Sequence, residues 1–199
     1  MAGINRSIQI IEAAQKRFGI FGIEKTSMRE IADDLEMSKA SLYYYFSDKE
    51  NLYKAVVEKE QAEFISRITE LLLSIPEPEK LLREYVGARL TYFRTLLNLS
   101  RLRLEAYSTL RPVLRETMES FREREKSIIK KIFRKGIDSG KFSIRNIDRT
   151  ATLFLNLLKG LRVTVVNEKS TLTIDEHEFN RLLENTLAFT EIFIKGISK

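Results

Sequence analysis

Apolar residues recur along this chain at intervals of three and four, the period of an α-helix, rather than at two. Ile8, Ile11, Ala14 or Gln15 and Phe18 form a first stripe, and Gly19 and Gly22 mark where that helix ends. A longer stripe follows through Tyr53, Val57, Phe64, Ile68, Leu71 and Leu72. Pro76-Glu77-Pro78 cuts it, because proline lacks an amide hydrogen and clashes with the turn before it. Leu81, Leu82, Tyr85, Val86, Leu90, Phe93, Leu96 and Leu97 predict the next helix. Pro112 fits the first turn of another, running through Leu114, Met118, Phe121, Ile128, Ile132, Phe133 and Ile137 to Gly140. The last two helices are predicted at about 147–166 and 176–197. The fold class is therefore all-α.

The final helix pair is more apolar than a surface pair needs. Ala151, Leu153, Phe154, Leu155, Leu157, Leu158, Leu161, Val163, Val165 and Val166 cover most of the circumference of the first. Phe179, Leu182, Leu183, Leu187, Phe189, Ile192, Phe193 and Ile197 broaden the stripe of the second. A helix apolar all round is buried. Either the pair is the core of a larger domain, or it covers its second face with the same pair of another subunit, and a homodimer through 147–166 and 176–197 is the expectation.

Between Thr26 and Asn51 three helix starts come in quick succession. Ser27-Met28-Arg29-Glu30 has the form of a capping box, Ser47-Asp48-Lys49-Glu50 repeats it, and Ser38 is placed to cap a short helix from Lys39. A helix, a tight turn and a second short helix over about 27–46 outline a helix-turn-helix. Ile31, Ala32 and Leu35 would face inward from the first helix, and Leu42 and Phe46 from the second. Ala40 and Tyr44 then point directly away, with Ser41 and Tyr43 on the flanks and Lys39 long enough to reach past its turn. Three consecutive tyrosines, Tyr43-Tyr44-Tyr45, are hard to bury in so short a helix. Their hydroxyls can donate to phosphate oxygens, and Lys39 suits a base edge or a phosphate. Thr26, Ser27 and the ammonium of Lys49 are further candidate phosphate contacts. On these residues alone, a DNA-binding face and an ordinary helical subdomain with an aromatic surface both remain open.

Composition narrows the chemistry. There is no cysteine and one histidine, His177, so thiolate zinc sites and Ser-His-Asp triads are disfavoured, and neither an enzyme nor a metal or other cofactor is expected. No apolar run approaches the roughly 18 residues that span a bilayer, and a cytoplasmic protein with no membrane contact is expected. The net charge is +6. That excess sits in residues 101–136, with none of it in the first fifty, so any argument for DNA must rest on individual side chains.

The stretch from Ala14 to Val57 carries Ala14, Phe18, Gly22, Thr26-Ser27-Met28-Arg29-Glu30-Ile31-Ala32, Ser38-Lys39-Ala40-Ser41-Leu42-Tyr43-Tyr44-Tyr45-Phe46 and Lys49-Glu50-Asn51-Leu52. It resembles the DNA-binding domain of the TetR family of transcriptional regulators. The resemblance covers roughly the first 60 residues without insertion. It implies a helix-turn-helix DNA-binding domain at 1–60 and a helical ligand-binding and dimerisation domain at 61–199. It further implies a homodimer that binds a roughly palindromic operator and a small-molecule inducer that releases it, with repression the default. By position, Lys39, Ala40 and Ser41 resemble the family's base-facing residues, and Tyr43, Tyr44, Lys49 and Thr26 or Ser27 its phosphate contacts. Tyr45 stands where many members have histidine. The family's tetracycline and magnesium chemistry finds no matching residues.

An inducer pocket would be apolar with a few polar groups, and Phe93, Leu97, Leu104, Tyr107, Met118 and Phe121 are its candidate lining. The arginines at 101, 103, 111, 115, 122 and 124 would favour an anionic ligand, or else form a solvated face; an apolar or anionic inducer is the expectation. His177 belongs to the first turn of the last helix, where Asp175 and Glu176 already complement the helix dipole.

Overall fold

The structure is a computed structural model that describes the backbone of residues 2–100, 104–166 and 174–199 and the side chains of 6–96, 110–163 and 174–199. Eight helices make up the described fold: α1 (Ala2–Phe21), α2 (Met28–Asp34), α3 (Lys39–Tyr45), α4 (Lys49–Ser74), α5 (Pro78–Ser100), α6 (Leu104–Asp138), α7 (Ile147–Val166) and α8 (Glu176–Ile197). An isolated antiparallel bridge joins Phe142 to Ser198. The all-α expectation holds, and the predicted bounds of α7 and α8 match. No helix among the described residues is long and apolar enough to cross a membrane.

Two compact units emerge. The first takes in the described residues of 1–61 and 95–118, the second those of 62–94, 119–169 and 174–199. In the first unit, α1 ends at Phe21 because Gly22 adopts φ 81°, a left-handed conformation costly for any side chain, while its amide closes the helix on the Phe18 carbonyl at 2.8 Å. Gly19 lies inside the helix. The buried row of α1 is Ile10, Ala14 and Phe18, all at 0% exposure. That corrects the predicted stripe, since Ile8 is 47% exposed: the i, i+4 row through Ala14 and Phe18 runs back to Ile10, two residues away from Ile8. Tyr53 of α4 meets Phe18 edge to face, with ring centroids 5.6 Å apart.

In the second unit, Leu81, Leu82, Tyr85 and Val86 of α5 are buried, as are Ile128, Ile129, Ile132 and Phe133 of α6 and Phe154 and Leu158 of α7. Pro78 begins α5, where its missing amide costs nothing. Pro112 is different: it lies inside α6, which starts at Leu104, so the expected start at Pro112 is corrected. A proline forfeits one backbone hydrogen bond, and the turns on either side carry the helix past it. A capping box of Asp175 and Glu178 opens α8, with bonds of 2.9 Å in both directions. On α7 and α8 the apolar residues are not all enclosed by the chain. Leu153, Leu157 and Ile192 are 50%, 46% and 69% exposed.

Candidate nucleic-acid interface

The turn between α1 and α2 is built from local hydrogen bonds. Ser27 caps α2 reciprocally with Glu30: its amide and hydroxyl both donate to Glu30 Oε2 at 2.8 Å, while its oxygen accepts from the Glu30 amide at 3.3 Å. Those bonds to the carboxylate hold Glu30 below its ordinary pKa. Ile31 and Ala32 are buried as expected, whereas Leu35 is half-buried at the end of the helix. Glu36 then takes φ 50°, giving a tight turn from a non-glycine residue.

Ser38 caps α3. Its oxygen accepts from the Ser41 amide at 3.0 Å, and the two serine hydroxyls lie 2.7 Å apart. Leu42 is completely buried and anchors the helix, while Phe46 is half-buried where the chain leaves it. Opposite Leu42, Tyr44 is 85% exposed. Lys39, Ala40, Ser41 and Tyr43 are exposed on the same side. The Lys39 ammonium lies over the Tyr43 ring, 5.5 Å from its centroid, and Tyr45 meets Tyr44 edge to face at 5.3 Å. An exposed face of hydroxyls, aromatic rings and one ammonium is thus set on a helix that its opposite side fixes in place.

Two of the sequence candidates have other work. Thr26 is 2% exposed, and its hydroxyl donates to the Gly22 carbonyl at 2.8 Å, so it locks the turn and offers no side-chain group to a phosphate. The Lys49 ammonium donates to the carbonyls of Ile23 and Thr26 at 2.8 and 3.0 Å, fastening the start of α4 to that same turn. Lys49, Thr26, Ser27 and Tyr43 line one shallow recess together with Glu24, Glu30, Asp48 and Glu50. The cap of α4 is also displaced by one residue from the predicted Ser47 box, because the Asp48 carboxylate accepts from the Asn51 amide at 2.7 Å, which lowers its pKa.

Several positioning residues escaped the sequence reading. Arg17 of α1 makes two hydrogen bonds to Asp34 and an ion pair of 3.2 Å to Glu30, tying α1 to both ends of α2. Arg6 donates to the Leu35 carbonyl at 3.1 Å, and Lys59 of α4 donates to Gln15 of α1 at 2.9 Å. Such partners lie 13 to 44 residues apart in sequence, which no local pattern reveals.

Of the pocket candidates, Phe93 and Phe121 are buried in the second unit, each with its ring about 5 Å from Tyr92 (5.1 and 5.2 Å). Met118 lies in the first unit, its sulfur 3.9 Å from Gln61 Nε2. The side chains of Leu97, Leu104 and Tyr107, and Arg101 and Arg103, lie outside the described residues. Arg111, Arg115, Arg122 and Arg124 are exposed. His177 is exposed in the first turn of α8. Among the described residues no group of three His, Cys, Asp or Glu could hold a metal ion.

Residues 10–56 match the family described as bacterial regulatory proteins, tetR family, and residues 85–199, more than half of the chain, match the C-terminal region of QacR-like proteins. The HTH-type transcriptional regulator QacR of Staphylococcus aureus is 24% identical over 199 residues, covering 98% of this chain and 100% of that one. The HTH-type transcriptional repressor NicS of Pseudomonas putida is 32% identical over 84 residues, 42% of this chain and 40% of that protein. A crystal structure of a transcriptional regulator from Cytophaga hutchinsonii superposes with a TM-score of 0.87 at 39% identity, covering 96% of this chain and 97% of the other.

Proposed function

This chain belongs to the tetR family of bacterial regulatory proteins, with a QacR-like C-terminal region, and we propose that it is a repressor that binds a palindromic operator as a homodimer and is released by a small-molecule inducer. Regulators of this family act by binding DNA and are not enzymes. In this reading residues 1–60 form the DNA-binding domain and 61–199 the ligand-binding and dimerisation domain.

The observation that carries the reading is the polarity of α3, with Leu42 at 0% exposure and Tyr44 at 85% two residues on. Lys39, Ala40 and Ser41 face base edges in the major groove. Ala40 has no side chain beyond its methyl group and lets the backbone approach closely. Tyr43, Tyr44 and Lys49 meet phosphates, which sets register and orientation without reading sequence, while Ser27, whose amide and hydroxyl both donate to Glu30, holds the cap of α2. Thr26 takes part only by holding the turn.

The homodimer forms through α7 and α8. Leu153, Leu157 and Ile192 supply exposed apolar area that a second copy of the same helix pair would cover, as an isologous interface requires.

Selection of bound duplexes from fragments of the source genome, at one stated salt concentration near physiological, tests the reading. A single enriched site with two inverted half-sites is the expected result. No enrichment by folded, dimeric protein, repeated after unfolding, washing and refolding to strip any copurified ligand, would overturn it.

A further inference from the structure

Arg89 is the most deeply buried cation described in the second unit. It projects from α5 at 4% exposure, with Nε donating to Glu125 Oε1 of α6 at 2.5 Å and Nη2 reaching Oε2 at 3.4 Å. Nη1 is buried and donates to no atom among the described residues. From these contacts we propose that the inducer is an organic monoacid, with its carboxylate taken by Arg89 Nη1 and its apolar body against the ring cluster of Phe64, Tyr92, Phe93 and Phe121. The proposal rests on the ligand-responsive reading above and adds the chemical class of the ligand.

Three features point to an anion. A guanidinium carries donors and no acceptor, so whatever satisfies Nη1 must bring a lone pair. Glu125, the carboxylate that a cationic ligand would seek, is already engaged: besides Arg89 it accepts from the Tyr85 hydroxyl at 2.6 Å, and all three groups are buried. Phe93, the ring on which a cation would stack, already has the Arg89 guanidinium 4.6 Å and the Arg162 guanidinium 4.1 Å from its centroid. With Glu125 neutralised by Arg89, Arg162 leaves one net positive charge beside this ring, which disfavours a further cation and favours an anion.

The body of the ligand follows from the neighbouring rings. Phe64 lies 5.1 Å from Tyr92 and 5.7 Å from Phe121, and Tyr92 lies 5.1 Å from Phe93. This continuous aromatic wall begins at the residue that Arg89 covers, and it suits a flat apolar acid in offset or edge-to-face contact. The arginines singled out by composition, Arg111, Arg115 and Arg122, are exposed and play no part.

The test uses the whole purified protein and two probes with the same ring system and opposite charge, 1-naphthoate and 1-naphthylmethylammonium, in titration calorimetry and in release of the selected operator. Naphthoate is expected to bind at least about tenfold tighter than the ammonium compound and to release the operator. Arg162→Gln, at a half-exposed position, is expected to weaken naphthoate severalfold. The double variant Arg89→Met/Glu125→Leu, which removes both buried charges together, is expected to abolish the preference between probes. Arg111→Ala/Arg115→Ala/Arg122→Ala should bind naphthoate like the parent. Equal affinity for the two probes, tighter binding of the ammonium, no binding of either, or loss of naphthoate in the exposed-arginine variant alone would each overturn the assignment. None of these bears on whether an operator is enriched, so a failure here leaves the regulator reading standing, and a failed selection leaves the calorimetry to decide the acid site.

Discussion

Arg17 of α1 grips Asp34, the last residue of α2, through Nε at 2.7 Å and Nη2 at 2.9 Å, a two-pronged bond that fixes the angle between the helices. The hydrogen bond from Arg17 is the main reason that the Asp34 carboxyl is held below its ordinary pKa. A carboxylate with a lowered folded-state pKa adds stability that is present above its unfolded value and is lost as pH falls through the folded one. Glu30 and Asp48 are lowered too, chiefly by the Ser27 and Asn51 amides.

Thermal stability should therefore be flat from about pH 5 to 8 and fall below about pH 4, where these carboxylates protonate. Asp34→Asn should lower stability near neutrality by about 0.5–1 kcal/mol, the range for a partly exposed pair of good geometry. It should also make the acid-side fall shallower. Melting curves of parent and variant across this range check both points, and parallel curves would assign the acid sensitivity elsewhere.

Tyr44 and Lys49 should separate when each is replaced by alanine. Tyr44 is 85% exposed, so Tyr44→Ala should leave the melting temperature within about a degree and weaken operator binding about tenfold, as loss of one good contact does. The Lys49 ammonium holds two carbonyls of the α1–α2 turn, so Lys49→Ala should lower stability by about 1–2 kcal/mol and weaken DNA binding as well. Lys39→Ala should instead change the preferred sequence. Paired denaturation and binding titrations decide, and an unaltered selected motif for Lys39→Ala would remove its base-reading role.

The contrast between Tyr44 and Lys49 marks what a sequence can reveal. Leu42 and Tyr44 were placed correctly because the rotation of a helix is local and carries each side chain to a known face. Ser27 and Glu30 were legible for the same reason, as a capping box spans three residues. The inward bonds of Thr26 and Lys49 are not legible in the sequence, because a hydroxyl or ammonium can fold back onto a carbonyl as readily as it can reach outward, and only the surrounding chain decides. Ile8 was put in the core in place of Ile10 because the amphipathic stripe of α1 leaves two neighbouring rows open until α4 packs on one. Arg89 left a signal that went unread. It falls four residues after Tyr85 and four before Phe93, on the buried face of α5, and an arginine on such a stripe requires a partner.

Glu36 occupies a conformation that suits glycine. At φ 50° its β-carbon crowds the backbone, at a cost of about 1–2 kcal/mol for an ordinary residue. Glycine removes that cost but gives back about 0.5–1 kcal/mol through its freer unfolded chain. Glu36→Gly should thus stabilise the protein by about 0.5–1 kcal/mol, and Glu36→Val, whose branched side chain tolerates the left-handed region least, should destabilise it by at least about 1 kcal/mol. Chemical denaturation of the three proteins tests the order Gly above Glu above Val. A different order would mean that the turn relaxes on substitution.

Leu153 and Leu157 lie one turn apart on α7, half exposed, beside the buried pair Phe154 and Leu158. One face of the helix thus packs within the chain while its neighbour stays open, which is the pattern a second subunit would complete. Placing a charge in the centre of such an interface leaves it desolvated with no partner, a cost that exceeds what two leucine contacts contribute. Leu153→Glu/Leu157→Glu should convert the dimer to monomer in sedimentation at micromolar concentration, with helicity unchanged because neither side chain enters the core of its own chain. Operator binding should fall by far more than for any change on α3, since a monomer engages one half-site at a time and loses the gain from linking two. An unchanged dimer mass for this variant would move the interface away from the open face of α7.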